Sequence, residues 1–279
     1  MCEFCVKHGE GKKWYLNVKN YSHDLLSDIN RKKFVGDHWN WINRNYEKYS
    51  KLIETLSLRI PFTRPVLNAV IKRIFLYEHW SQVIPIEDIE RILEFTNSIT
   101  RVPCVCRKIL KGKEHRLCFL ISLDSRQLGI TEIIDQSYFG GPDVAKFERV
   151  DKEWTLNFMK ECETRGMIHT IWAIKAPFVG ILCNCDLSSG CIPMKMIKDK
   201  TPFTFRAEYV AEVSPDLCIG CKKCMKLCQF DAMEFVSKSK KARVNPKRCY
   251  GCGICRVECP TKAIILKDRK LVAAVANIW

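Results

Sequence analysis

At 279 residues, with 47% hydrophobic and 28% charged side chains, the chain has neither the low apolar content of a disordered protein nor the apolar saturation of a membrane one. Its length suits about two domains of roughly 100–200 residues, able to bury a core without disulfide staples. The formal charge of +15 suits an anionic partner such as nucleic acid, an acidic protein or a membrane surface.

Cysteine is the outlying component: there are 17, an odd number. The start, Met1-Cys2-Glu3-Phe4-Cys5, lacks the basic-then-apolar layout of a secretory signal. A cytoplasmic, reducing setting is expected, in which thiols stay free to act as metal ligands or reactive groups. The longest low-charge apolar stretch near either end, Leu271 to Trp279, falls far short of the roughly 20 residues that a membrane-crossing helix needs. No transmembrane segment is expected.

In chain order, Cys2 and Cys5 first form a C-x2-C pair. Residues 12–100 then read as mainly helical. Trp39, Ile42, Tyr46, Tyr49, Ile53 and Leu56 recur at steps of three and four, as one face of a helix requires. Val66, Val70, Ile74 and Tyr77 repeat the pattern after Pro65, a residue suited to a first helical turn. A third helix opens after Pro85, with Glu87 and Asp88 early, where the helix dipole favours acids. From Arg101 the texture turns to short apolar runs bounded by turns, and Leu117–Ile121, Ile168–Ile174 and Val179–Cys183 read as strands. Between them, Asp151 as N-cap and Gly166 as C-terminal stop bracket a helix carrying Phe158, Met159 and Cys162. A charged stretch with proline, Lys195–Pro202, sets a boundary before the last section.

That section holds the strongest motif. Cys218, Cys221, Cys224 and Cys228 follow C-x2-C-x2-C-x3-C, and Cys249, Cys252, Cys255 and Cys259 repeat it. Three thiolates at steps of three wrap one face of an iron–sulfur cube, and the fourth cannot close the same tetrahedral set across so short a loop. In such runs the fourth cysteine serves the neighbouring cluster. Two 4Fe-4S clusters are therefore expected, one held by Cys218, Cys221, Cys224 and Cys259, the other by Cys249, Cys252, Cys255 and Cys228. Gly220 and Gly251 supply the backbone freedom that folding tightly around a cluster requires. Two four-thiolate zinc sites are the competing reading. It is weak, because zinc ribbons pair C-x2-C knuckles without a third and fourth cysteine at these steps.

On these residues, roughly 207–270, the chain resembles bacterial-type ferredoxins that carry two 4Fe-4S clusters. Gln229 departs from their pattern, standing where Pro260 follows the second run. The resemblance implies electron transfer. Met233, Phe235 and Val236 after the first run, and Ile264, Ile265 and Leu266 after the second, are expected to form two short strand pairs that shield the clusters. Two such clusters, each a dianion with its four thiolates, lower the formal charge to about +11. Residues 205–279 hold 15 Lys and Arg against 7 Asp and Glu, so much of the surplus surrounds these cofactors.

The remaining cysteines are less regular. Cys104, Cys106 and Cys118 form C-x-C-x11-C, and Cys183, Cys185 and Cys191 form C-x-C-x5-C. Separate chain segments converge on metals in this way, so one or two additional Fe-S clusters are expected from these six, completed by Cys2 and Cys5. The bland alternative makes them small buried hydrophobes, as Cys162 in its helix interior is expected to be. His8 and His169 are further candidates, since imidazole replaces thiolate on iron, though each alone reads more simply as an ordinary histidine. The turn Gly9–Lys13 lacks the spacing of a phosphate loop, Tyr138–Pro142 reads as a turn, and no C-x3-C-x2-C run of the radical-SAM kind exists. Val102–Arg107, Gly166–Thr170 and Cys183–Cys185, followed by the two-cluster motif, resemble ferredoxin-domain iron–sulfur proteins of anaerobic microbes. That resemblance implies redox work.

The expected fold class is α+β: a mainly helical region over 1–100, a mixed α/β, cysteine-rich unit over 101–204, and a bacterial-ferredoxin-like domain over 205–279. The leading expectation is an iron–sulfur electron-transfer protein or subunit. It would serve a further cluster site, an acidic redox partner protein steered by Lys222, Lys223 and Lys226, or a larger oxidoreductase complex. The alternative is a reductase whose C-x-C cysteines hold a site-differentiated or noncubane cluster with an exchangeable iron position, as catalysis requires. Nucleic-acid binding ranks last, because no stacking-aromatic and arginine motif accompanies the basic charge.

Overall fold

The computed structural model describes residues 13–21, 81–112, 115–125, 147–173, 179–198 and 204–278, together with isolated helical positions between 33 and 73. The apolar residues of the helix expected on Trp39–Leu56 lie outside the described residues, and Lys48 and Lys51 between them are helical. Positions 65, 66, 68–70 and 73 are helical, in line with a start at Pro65. Val66 and Val70 are nevertheless solvent-facing, at 68% and 52% exposure.

The sheet unit runs β1 (Ser81–Ile84), α1 (Ile86–Phe95), β2 (Ser98–Val102), α2 (Val105–Lys111), β3 (Cys118–Ser122), β4 (Glu148–Val150), α3 (Lys152–Thr164), β5 (Ile168–Ala173), β6 (Val179–Cys185) and α4 (Ile192–Lys198). Helix α1 carries Glu87 and Asp88 in its first turn and turns Ile89, Ile92 and Leu93 inward. Helix α3 begins at Asp151, whose side chain accepts from the Trp154 amide at 2.7 Å, satisfying one of the free N–H groups of a helix start.

The strands form one antiparallel sheet in the order β1-β5-β6-β3-β2-β4. Successive side chains of a strand point to opposite faces, and this alternation divides the apolar residues between two cores. Ile84, Phe119, Ile121, Ile171 and Leu182 join Ile89 and Ile92 of α1 and Met159 of α3, with Trp14, Tyr15 and Tyr21 closing that side. Val83, Ile168 and Cys185 face the other way, onto Cys191 and Met194. The boundary expected at residue 100 falls inside β2, and β1 pairs with His169–Trp172 of β5. The end of the expected helical region therefore belongs to the sheet. Four strand residues ending at Pro85 are too short a run for alternation to show in sequence.

The C-terminal unit holds β7 (Tyr209–Val213), α5 (Lys223–Leu227), β8 (Met233–Val236), β9 (Lys241–Val244) and β10 (Ile264–Asp268). The strands expected after each cysteine run pair with β9 in one case (β8) and with β7 in the other (β10). Polar contacts join this unit to the sheet unit. Buried Asp88 accepts from Tyr15 Oη at 2.7 Å and from Tyr209 Oη at 2.9 Å. Glu87 takes a bidentate pair from Arg256 at 2.5 and 2.9 Å, the geometry in which a guanidinium binds a carboxylate best. Phe205 hydrogen-bonds alongside β1 at Ser81 and Val83. Among the described residues no helix is long and apolar enough to cross a membrane.

Candidate metal centres

Each cysteine run wraps its set through a left-handed bend that glycine makes without strain. Gly220 has φ +70°, and a Cβ there would lie 2.2 Å from the Lys240 carbonyl oxygen; Gly251 has φ +71°, with 2.1 Å to the Tyr209 oxygen. The first bend therefore seats against the chain entering β9 and the second against β7. Beyond the bends, α5 carries Cys224 and the short turn Ile254–Arg256 carries Cys255.

Cys218, Cys221 and Cys224 line one cavity together with Cys259 from the second run, under Val213, Ala242 and Ala263. Burial, followed by the charges of Cys221, Cys218 and Cys259, pushes the Cys224 thiol up to about 11. Cys228 sits with the other set. The Cys252 and Cys255 thiols are pushed up first by burial and then by their neighbours, Cys249 and Cys228 acting on both. The fourth cysteine of each run thus lies with the first three of the other. Cys224 also falls within the field of Cys255, so the two sets adjoin.

Four alanine amides point at these sulfurs: Ala242 to Cys218 at 3.4 Å, Ala263 to Cys259 at 3.3 Å, Ala211 to Cys249 at 3.4 Å and Ala232 to Cys228 at 3.3 Å. Gly251 adds a second donor to Cys249 at 3.4 Å. A methyl side chain lets the main chain reach the sulfur, and such N–H···S bonds stabilise thiolates and tune the potential of a cluster. Thiolates gathered so closely repel one another and suit a polycationic metal core. Among the described residues no three His, Cys, Asp or Glu side chains are arranged to hold one metal ion. Thiolates on a single zinc would stand within about 4.6 Å of each other, twice the Zn–S bond. The donor sets fit 4Fe-4S clusters.

A third group of thiols lies on the sheet face opposite α1 and α3. Cys118 of β3 and Cys183 of β6 are register partners, Cys185 ends β6, Cys104 is the N-cap residue of α2, Cys106 lies in its first turn and Cys191 precedes α4. Neighbours meet in pairs. Cys104 is hydrogen-bonded by Cys106 and Cys118, which with nearby Arg107 holds its thiol well below the ordinary value. Cys118 also meets Cys183, and Cys191 meets Cys185. The structure therefore brings together all six cysteines of the two C-x-C motifs.

One buried ion pair clasps this group. Arg107, fully buried, donates to Cys104 Sγ at 3.2 Å, to the Asn184 carbonyl at 3.2 Å and to Asp186 Oδ1 at 2.6 Å, and also reaches Ser189 Oγ. Burial raises the Asp186 carboxyl, but hydrogen bonds from Ser188, Ser189 and Arg107 outweigh it and leave it below its ordinary value. Sequence reasoning missed this clasp. Its signal is local: each C-x-C pair is followed at once by a charge, Arg107 after Cys106 and Asp186 after Cys185, and the signs are opposite.

His169 is not part of the group. Alternation along β5 turns Thr170 toward Cys185, with Oγ1 3.6 Å from Sγ. It turns His169 to the opposite face, where Nδ1 meets Asn184 Oδ1 at 2.7 Å and Nε2 lies 3.7 Å from Glu163. Cys162 is buried beside Leu117 and Met167, and burial raises its thiol. Cys2, Cys5, His8, the start of the turn at Gly9 and Tyr138–Pro142 lie outside the described residues.

Residues 211–266 match the family model of a 4Fe-4S dicluster domain. No curated protein matches the chain.

Proposed function

We propose that the chain, whose C-terminal unit is a ferredoxin-like 4Fe-4S domain serving electron transfer, is a linear relay between an acidic protein partner and a third iron–sulfur centre. Cys218, Cys221, Cys224 and Cys259 hold one cluster, and Cys249, Cys252, Cys255 and Cys228 the other. Cys104, Cys106, Cys118, Cys183, Cys185 and Cys191 hold the third. Bound clusters supply one-electron storage; the residues of the chain supply placement, shielding and charge.

A shared apolar cluster carries this reading. Cys252 and Ile254 of the second run pack with Cys185 and Cys191, flanked by Leu187, Phe230 and Tyr250. The second site thus faces the six thiols across side chains rather than water. The first site faces outward: Cys221 is exposed, as are Lys222, Lys223 and Lys226, whereas the repeat counterpart Cys252 is buried. Leu217 and Ile219, 53% and 65% exposed, give this cationic rim an apolar centre, a combination suited to a protein surface with acidic groups. The resemblance to ferredoxin-domain proteins of anaerobic microbes supports the same redox reading, in the reducing cytoplasm where free thiols and clusters persist.

Anaerobic reductive titration tests it. The wild-type chain is expected to take up about three electrons, one per cluster, and the Cys104→Ser, Cys183→Ser double variant about two. Two electrons in both proteins would refute the third centre. Charge reversal by Lys222→Glu with Lys223→Glu is expected to slow reduction by an acidic flavin-carrying donor protein about tenfold at low salt and far less at high salt. Equal rates at low salt would remove the docking assignment.

A further inference from the structure

The two cysteine runs are repeats, and their following residues differ in a way that tracks their surroundings. Pro260, after the second run, is exposed; Gln229, after the first, is half-buried against the sheet unit. The Gln229 amide does two things that a proline ring does not. Its Oε1 accepts from the Leu187 backbone amide at 2.8 Å, and its Nε2 donates to the Gly166 carbonyl. Leu187 stands two residues after Cys185 and next to Asp186, which anchors Arg107 on Cys104. On its other side Gln229 is bonded directly to Cys228, a residue of the second four-thiolate set. One side chain therefore joins the loop of that set to the strand end that carries a thiol of the third.

We infer that Gln229 is a positioning residue that fixes the second cluster site against the six-thiol site, in place of the proline that stiffens the equivalent turn elsewhere in the repeat. The inference rests on the three-centre reading above for its electronic consequence, and on geometry alone for its mechanical one. Leu227 and Phe230, on either side of the Cys228–Gln229 pair, pack in the same apolar cluster as Cys185 and Cys252, and Phe230 stacks on Tyr250 at 4.2 Å. These apolar contacts permit sliding. The paired hydrogen bonds from a single planar amide set the register, because its donor and acceptor engage two separate segments at once.

The test compares full-length Gln229→Ala, Gln229→Pro and Gln229→Glu with wild type under anaerobic conditions. In the first two, hydrogen exchange at the Leu187 amide is expected to rise about tenfold, as for a lost hydrogen bond. Gln229→Glu, which keeps the acceptor and loses the donor, should fall between. Iron content should be unchanged in all three, because no ligand is removed. In the fully reduced protein, magnetic broadening of the electron paramagnetic resonance signals between the dicluster unit and the third centre should diminish in Gln229→Ala and Gln229→Pro. Unchanged Leu187 exchange in Gln229→Ala overturns the inference, as does unchanged broadening despite faster exchange. If Gln229→Pro does not fold, the alanine and glutamate variants decide the question. A wild-type chain with only dicluster iron would instead refute the three-centre reading and with it the electronic consequence, while the exchange data would still judge the staple.

Discussion

Replacing Gly251 with alanine is expected to destabilise the C-terminal unit by roughly 3 kcal/mol or more, against about 1 kcal/mol for Gly112→Ala. Both glycines are left-handed, at φ +71° and +62°, so the intrinsic cost of a side chain there is similar. Their surroundings differ. A Cβ on Gly251 would stand 2.1 Å from the Tyr209 oxygen, 2.7 Å from its carbonyl carbon and 3.1 Å from the Ala207 Cβ, whereas Gly112 meets nothing within 4 Å. The two nearest atoms struck are main chain of Tyr209, which cannot swing aside. Relief requires β7 to move, and β7 carries the Ala211 amide that donates to Cys249 Sγ. Strain at one carbon is thus converted into loss of the hydrogen bond to Cys249. Thermal unfolding followed anaerobically, with iron content measured on the same samples, checks this; Gly251→Ala matching Gly112→Ala in both would contradict it.

Stripping iron from the protein with a chelator under anaerobic conditions is expected to abolish amide protection across Tyr209–Val213 and Ile264–Asp268 while leaving it in place at Phe119, Ile171 and Leu182. The core of the C-terminal unit explains why. Its buried members include Cys218, Cys224, Cys249 and Cys255 and the small Ala211, Ala232, Ala242 and Ala263, with few large side chains such as Met233 and Ile264. So small an apolar core in a unit of this size needs a staple, and metal binding then becomes part of the folding free energy. The sheet unit has its own core of large side chains, Phe119, Ile121, Ile171, Leu182 and the residues of α1 and α3, on the face away from the six thiols, and that core holds without iron. Hydrogen exchange before and after chelation separates the two. Persistent protection of β7 and β10 in the iron-free protein would show that the cysteines pack as ordinary hydrophobes.

The two cysteine runs were legible in sequence because their spacing is local: two steps of three and one of four, repeated, leave few other chemistries. The crossing of Cys228 and Cys259 was legible for the same reason, since a short loop cannot close its own fourth corner. The alanine donors were not anticipated, although Ala232 and Ala263 each stand four residues after the last cysteine of a run. Their role appears only when strands bring amides to the sulfurs. The gathering of six thiols also depends on distant pairing, because Cys118 and Cys183 meet only when β3 lies antiparallel to β6. No periodicity within either segment encodes that partnership. The strand Ser81–Ile84 escaped notice in a stretch dominated by helical spacing, and Gln229 was visible as a departure whose purpose only the sheet unit explains.

Iron and acid-labile sulfide counted per chain in anaerobically purified protein test the three-centre account most directly. The account predicts about twelve iron atoms or more, four for each of at least three clusters, falling to about eight in the Cys104→Ser, Cys183→Ser double variant. About eight iron atoms in both proteins, or zinc in place of iron, would contradict it.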